Sequence, residues 1–234
     1  MQDIAEQFFE LFQGSEIAHG IFVIGQSNGR VKQQGTTSAV RLPATVEHWK
    51  EHLAGGTGLA IIPIRTDNTC YWGAIDIDDY SVDLPKLAKE LATKQIPVVV
   101  GRSKSGGAHL WMFCSEPVTA ADMRRKLTEL AATLGFAKSE IFPKQEQLLL
   151  DRGDVGNFLN MPYQAGERTV RYAFDTTGNS LDMAEFISVS KERTLNFEQF
   201  HVLNIAELFG GYAPTEVLEQ GPPCLQHLCA RGFT

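Results

Sequence analysis

Pro97-Val98-Val99-Val100-Gly101 and Ala108-His109-Leu110-Trp111-Met112-Phe113-Cys114 are two apolar runs, separated by Arg102-Ser103-Lys104-Ser105-Gly106-Gly107. Short apolar runs bounded by turn residues read as buried strands, so residues 97–114 predict two strands joined by a polar turn. The glycines of that turn let backbone N–H groups approach an anion, and Arg102, Ser103, Lys104 and Ser105 add donors. His109 opens the second strand, where it faces whatever the turn holds. No Gly-Lys-Ser/Thr followed by a helix is present, so this is not a Walker-type phosphate loop. Taken alone, the stretch also reads as a solvated turn with a capping histidine.

Upstream lies a second informative segment, Ile75-Asp76-Ile77-Asp78-Asp79, closing a strand predicted from Tyr71 to Asp78. Side chains alternate along a strand, which sends Asp76 and Asp78 to one face. Two carboxylates ~7 Å apart repel each other and lose hydration, and divalent cations between them relieve both costs. Hard oxygen donors suit Mg²⁺ or Mn²⁺. Two such ions serve in-line phosphoryl transfer. The plainer alternative is a strand that simply ends in polar residues. A calcium loop is excluded, because Ser81 and Leu87 stand where glycine and glutamate are required. A paired carboxylate strand followed, one helix later, by a phosphate-compatible turn favours metal plus triphosphate over either bland reading.

Further along, Ser139 to Tyr163 reads SEIFPKQEQLLLDRGDVGNFLNMPY. Glu146, Asp151 and Asp154 are each candidates for a third acid. Asp151 follows Leu148-Leu149-Leu150, a predicted short strand. Asn157, Asn160 and Arg168 are available as donors to a nucleotide or template.

The remaining elements mix helix and strand. Ile4, Phe8, Leu11 and Phe12 fall at helical spacing, stopped by Gly14. Gly20 to Gly25 reads as a strand and Asn28-Gly29 as a turn. Thr45 begins a helix ended by Gly55-Gly56. Leu59 to Ile64 reads as a strand and as the hairpin partner of Tyr71 to Asp78. Pro85 sits at the first position of a helix carrying Leu87 and Leu91. Thr119 with Asp122 resembles a capping pair opening a helix that runs to Gly135. Phe158 to Met161 and Tyr172 to Phe174 predict short strands. Helices follow near Asp182 to Ser188 and from about Leu195 to Phe209. Without strict alternation this is an α+β pattern.

At 234 residues and 43% hydrophobic, the chain can bury a real core, and disorder is excluded. The formal net charge is −7, so any nucleic-acid contact depends on a local basic patch. Arg124-Arg125-Lys126, Arg168 with Arg171, and Lys191 with Arg193 are candidates, each also readable as an ordinary solvated face. Four cysteines are too few for a disulfide scaffold. The acidic N-terminus lacks a secretion signal, and no apolar run approaches the ~20 residues of a membrane span, so the expected location is the cytoplasm.

The motifs together resemble the archaeo-eukaryotic primase superfamily, in its primase-polymerase form from phages, plasmids and conflict systems. The resemblance rests on Ile75-Asp76-Ile77-Asp78, on Ser103-Lys104-Ser105-Gly106-Gly107-Ala108-His109, and on Phe142-Pro143-Lys144-Gln145-Glu146 followed by Gly156-Asn157-Phe158-Leu159-Asn160-Met161-Pro162. It implies a catalytic core over residues 1–178, with a mixed or antiparallel sheet flanked by helices and an RRM-like palm. A helical segment, residues 179–234, would follow. Gly221-Pro222-Pro223-Cys224-Leu225 resembles the start of a helical module that continues beyond Thr234, with a helicase fused downstream or separate. The implied activity is primer synthesis or extension on a single-stranded DNA template from ribo- or deoxynucleoside triphosphates. Asp76, Asp78 and a later acid would hold two Mg²⁺ or Mn²⁺ ions. The family often has its third acid just after the FPxQ-like element, here Glu146, while the strand pattern favours Asp151; both stay open. Arg102, Ser103, Lys104, Ser105, Gly106, Gly107, His109 and Asn157 would bind the triphosphate.

Three other readings compete. A primase-like module could bind nucleotide or single strands without extending them. His48-Trp49-Lys50-Glu51-His52 matches a zinc-protease helix, although Trp49 and Leu53 explain it as a packed surface helix. Cys224, His227 and Cys229 offer three metal donors and no fourth.

Overall fold

The computed structural model describes residues 3–24 and 35–210. Within them the strands form two four-stranded antiparallel sheets. The first has the order β2 (Gly35–Val40), β1 (His19–Ile24), β3 (Gly58–Ile61), β8 (Leu159–Asn160). The second has the order β5 (Val99–Arg102), β6 (Ala108–Thr119), β4 (Thr69–Ile77), β7 (Glu140–Phe142). This is the α+β arrangement of helices on antiparallel sheets that the residue pattern predicts.

The two faces of the second sheet bury different things. Ile75, Ile77, Leu110 and Met112 turn toward α3 (Leu84–Thr93) and α4 (Ala120–Thr133). Trp72, Ala74, Trp111 and Phe113 turn the other way, into a core shared with Leu59 and Ile61 of β3 and with three helices, α1 (Ile4–Leu11), α2 (Val46–Ala54) and α5 (Met183–Glu192). Phe8, Phe12, Trp49 and Phe186 meet there with ring centroids 5.3–6.4 Å apart. Each such ring contributes about 1.5–3 kcal/mol by leaving water.

Local chemistry explains the helix ends. Asp3 and Glu6 form a capping box on α1. Asp83 accepts the Lys86 N–H at the start of α3, which carries Pro85 in its first turn. Thr119 accepts the Asp122 N–H and so starts α4. Gly55, with φ +93°, closes α2 as only glycine does without strain.

Three expectations need correction. The Leu59 and Tyr71 strands are not hairpin partners: β3 pairs with β1 and β8, and β4 with β6 and β7. Their connection leaves both ladders because Ile62 and Ile64 bury in a separate cluster with Ala18, Ala120 and Leu148. Leu148-Leu149-Leu150 is not a strand. Leu148 alone is buried, Leu149 and Leu150 are exposed, and Leu150–Arg152 is a single 3-10 turn closed by Gly153. The helix expected from Leu195 to Phe209 is broken into α6 (Phe197–Val202) and α7 (Ile205–Leu208). At the break, the buried Lys126 ammonium caps the orphan carbonyls of His201 and Leu203, and Asn204 caps α7. The Asn28-Gly29 turn, the 221–225 segment and the Cys224, His227, Cys229 group lie outside the described residues. Among the described residues no helix is long and apolar enough to cross a membrane.

The zinc-protease reading fails on α2. His52 is fully buried; its Nε2 donates to the Pro162 carbonyl at 2.8 Å and its Nδ1 accepts the Leu59 N–H at 2.9 Å. Glu51 holds Thr57, and His48 Nδ1 accepts the Thr45 N–H. Burial pulls the His52 pKa down to about 4, so the folded protein keeps this ring neutral. Unfolding restores a pKa near 6.5, and the unfolded chain therefore takes up a proton that the native one refuses. Stability from His52 is complete above pH 6.5 and is lost as pH falls toward 4. Urea denaturation should show roughly 3 kcal/mol of loss across that window, and His52→Gln should flatten that part of the profile.

Candidate functional site

Asp76 lies one residue before the end of β4, and the strand register decides its neighbours. Across one ladder it faces His109 of β6; across the other it faces Glu140 of β7. Directly opposed residues in antiparallel strands project to the same face. Asp76, His109 and Glu140 thus form one row across three strands, on the face that turns toward the shared aromatic core. His109 Nε2 lies 3.2 Å from Asp76 Oδ1, and the imidazole is buried while the carboxylate is partly open. Trp111 meets the His109 ring edge-on at 5.4 Å and fixes it from below.

Asp78 follows the strand end and is exposed. Asp76, Asp78 and Glu140 line a cleft of about 530 Å³ with residues 135–139, the loop between α4 and β7. Asp79 reaches the same cleft, but its carboxylate is occupied by the Ser81 N–H and hydroxyl.

The glycine-rich turn sits against this strand end. A Cβ built on Gly107 would stand 2.1 Å from the Ile77 carbonyl oxygen, so only glycine allows the approach. Gly106, at φ +101°, faces the Arg102 guanidinium. Ser103 is buried, and its hydroxyl finds no partner among the described residues. Arg102 donates to the Val170 carbonyl. Lys104 stretches to the first sheet, with its ammonium 3.4 Å from the Phe22 ring centroid. Ser105 is exposed.

Arg171 completes this flank. Read from the chain it was one half of a possible surface patch; in the structure it is buried, 5% exposed, with its guanidinium 5.8 Å from the same Phe22 ring. Burial brings its pKa down to about 10, and burial together with Arg171 lowers that of Lys104. Among the described residues neither cation has a carboxylate within 4 Å. Two desolvated cations and an orphan hydroxyl on one side of Asp76 are the complement of a polyanion.

The carboxylate that shares the row with Asp76 is one that sequence reasoning missed. β7 runs antiparallel to β4, so the chain beyond Phe142 travels toward the start of β4, away from Asp76. Leu148 N–H bonds Asn68, just before that start. Glu146 lies on this far stretch, 3.8 Å from Arg124, and Asp151 follows on the exposed 3-10 turn. Asp154 is used by the Gly156 N–H. Asn157 accepts from Gln145 rather than reaching the turn. The structure thus brings Glu140 to the carboxylate pair, and neither Glu146 nor Asp151. Glu140 is held by Lys144 at 2.7 Å. Among the described residues no three His, Cys, Asp or Glu side chains already form a metal cluster. The donor set still fits hard divalent ions: three carboxylates line one cleft, with room for water. The other cationic stretches are spoken for. Arg124 donates to the Pro143 carbonyl, Arg125 pairs with Asp122, Arg168 donates to Ala54 and Arg193 to Val98.

Residues 23–185 match the family described as the archaeo-eukaryotic primase domain of TOTE conflict systems. The chain belongs to that primase family. No curated protein matches it. Among solved structures it is similar to the archaeo-eukaryotic primase domain of the cyanophage S-2L primase-polymerase, at 16% identity over 80% of this chain and 96% of that one, with a TM-score of 0.44. The matched region of this primase-family chain contains the whole of the second sheet, with Asp76, the turn and Glu140, and also Arg171.

Gly107→Ala should force the turn off the Ile77 carbonyl. Chemical denaturation is expected to show about 1–3 kcal/mol of destabilisation, and Ser105→Ala, on the exposed side of the same turn, close to none.

Proposed function

We propose that this chain is a template-directed nucleotidyltransferase that makes or extends primers on single-stranded DNA. The observation that carries the proposal is the row Asp76, His109, Glu140, flanked on the β6 side by two cations with no carboxylate within 4 Å among the described residues. Joining a 3′-hydroxyl to an α-phosphate requires charge neutralisation and alignment more than a protein nucleophile. The site divides that work by position.

Ser103, Lys104, His109 and Arg171 bind the triphosphate of a ribo- or deoxynucleotide. Gly106 and Gly107 let the backbone come close, and Arg102 braces the turn through Val170. Asp76, Asp78 and Glu140 are the residues that would hold two Mg²⁺ or Mn²⁺ ions. Bound there, such ions supply Lewis-acid stabilisation of phosphate charge and favour the ionised hydroxyl. His109 stands between the acids and the turn, in contact with Asp76, and orients a phosphate toward the carboxylates. The TOTE-type family supports a nucleotide and nucleic-acid substrate class.

A second reading, binding without strand extension, draws on the Glu140 carboxylate being paired with the Lys144 ammonium. The two readings part in a primer-extension assay with single-stranded template, Mg²⁺ or Mn²⁺ and each nucleotide pool.

Asp76→Asn combined with Asp78→Asn should lower product formation by at least about 10³-fold while the melting temperature holds or rises, since two crowded charges are relieved. Product at wild-type rates would remove the metal assignment. His109→Ala and Arg171→Met should each weaken triphosphate binding by about tenfold or more, and template binding far less. Equal triphosphate affinity in wild type and variants would remove the turn from the reading.

A further inference from the structure

Phe22 belongs to the first sheet, yet both cations beside the glycine-rich turn lie against its ring. The Lys104 ammonium is 3.4 Å and the Arg171 guanidinium carbon 5.8 Å from the ring centroid, inside the ~6 Å over which a ring face attracts a cation. Phe22 is the single aromatic residue of Gly20-Ile21-Phe22-Val23-Ile24, and it is buried, so the attraction acts with water largely excluded. Its strand neighbours are Thr37 and Gly58. A Cβ on Gly58 would stand 3.2 Å from that of Phe22, and the bare glycine leaves the ring its room.

The two cations are held unequally. Arg171 is anchored without the ring. Its carbonyl accepts the Tyr163 N–H, the next carbonyl, that of Tyr172, accepts the Arg102 N–H, and its guanidinium donates to the Met161 carbonyl. Lys104 comes from a polar turn on a flexible stem. Among the described residues its ammonium has neither a hydrogen bond nor a carboxylate within 4 Å, and the contact it does make is to the Phe22 ring.

We propose that Phe22 is a positioning residue for the triphosphate: its ring keeps the Lys104 ammonium beside the Arg171 guanidinium before an anion arrives. The assignment rests on the nucleotidyltransferase reading and adds to it a residue of the other sheet, acting through Lys104 and not on the nucleotide. Two like charges repel, and without the ring Lys104 would extend into water, away from Arg171. Its stem would then have to be ordered at the moment of binding, which costs affinity. A ring suits the task better than a carboxylate. A carboxylate would neutralise the ammonium and repel phosphate, whereas a ring face leaves the charge and the remaining N–H donors for the ligand. An aliphatic side chain would pack in the same place and attract neither cation.

The test uses the full chain and a non-hydrolysable deoxynucleoside triphosphate. Phe22→Leu and Phe22→Met keep an apolar side chain and remove the ring, while Phe22→Tyr keeps the ring. The Kd for the analogue should rise about fivefold or more in the first two and stay within about twofold in Phe22→Tyr. In a Lys104→Met background Phe22→Leu should change the Kd by less than about twofold, because only the separately anchored Arg171 still meets the ring. An unchanged Kd in Phe22→Leu, or an equal rise in both backgrounds, overturns the assignment. A second measurement needs no nucleotide. An amine-reactive acetylating ester, read by mass spectrometry, should label Lys104 about threefold faster or more in Phe22→Leu than in wild type, and at the wild-type rate in Phe22→Tyr. The buried Lys126 should stay unlabelled in every variant, which shows the core intact. Equal labelling of Lys104 in Phe22→Leu and wild type overturns the assignment. Faster labelling in Phe22→Leu, with a wild-type protein that binds no triphosphate, would sink the nucleotidyltransferase reading and keep the hold of Phe22 on Lys104.

Discussion

The approach of the Gly107 backbone to the Ile77 carbonyl is the contact on which the site depends. Two strands of one sheet could hold Asp76 and His109 in register without it. The turn between β5 and β6 would then be free to lean into solvent. With no Cβ at Gly107 the turn lies flat on the end of β4, and Ser103 is carried under cover beside the carboxylates. The register of β4 with β6 does the rest, because a one-residue slip would send His109 to the opposite face, among the helices.

That placement creates an uneven electrostatic landscape. On one side of Asp76 stand Lys104 and Arg171, with no carboxylate within 4 Å among the described residues; on the other stand Asp78, Asp79 and Glu140, the last paired with Lys144. Burying a cation with no partner costs stability, and an apolar residue of similar size would serve the core better at that position. Phe22 returns part of the cost through its ring face. Arg171 also donates to the Met161 carbonyl, and the cost that remains fits the anionic ligand proposed for this pocket, as does the Ser103 hydroxyl, which has no partner among the described residues. The protein as a whole carries −7, so this pocket is local and does not reflect a basic surface.

What could be read from the chain and what could not divide along the range of the information. Asp76, Asp78, the glycine-rich turn and His109 are local patterns: alternation along one strand, and a polar turn between two apolar runs. The caps at Asp3, Thr45 and Thr119 are local too. Glu140 was invisible because β7 has three residues, Glu-Ile-Phe, too few to show a period, and its role comes from pairing with a strand more than sixty positions earlier. The strand expected before Asp151 is absent because Leu148-Leu149-Leu150 has the composition of a strand, yet two of its three leucines are exposed. Arg171 looked like a surface cation since nothing beside it in sequence reports burial. The division into two sheets was missed for the same reason: Ile62 and Ile64 are apolar enough to extend β3, and only the third cluster draws them away.

The two acids that flank the Asp76 position differ in how firmly they are held. Asp76 is fixed by ladders on both sides and by His109 at 3.2 Å. Glu140 has the same backbone security, but its side chain is 56% exposed and that of its partner Lys144 33%, in an ion pair at 2.7 Å. A pair that open to water is worth about 0.2–1 kcal/mol, less than a divalent ion gains from one more carboxylate. Lys144 therefore neutralises Glu140 without locking it away. A rigid first carboxylate beside a readily exchanged one is compatible with the metal-dependent reading proposed for this site. A cluster tight enough to be complete on its own would hold three like charges at close range with nothing between them, and the fold would bear that repulsion throughout.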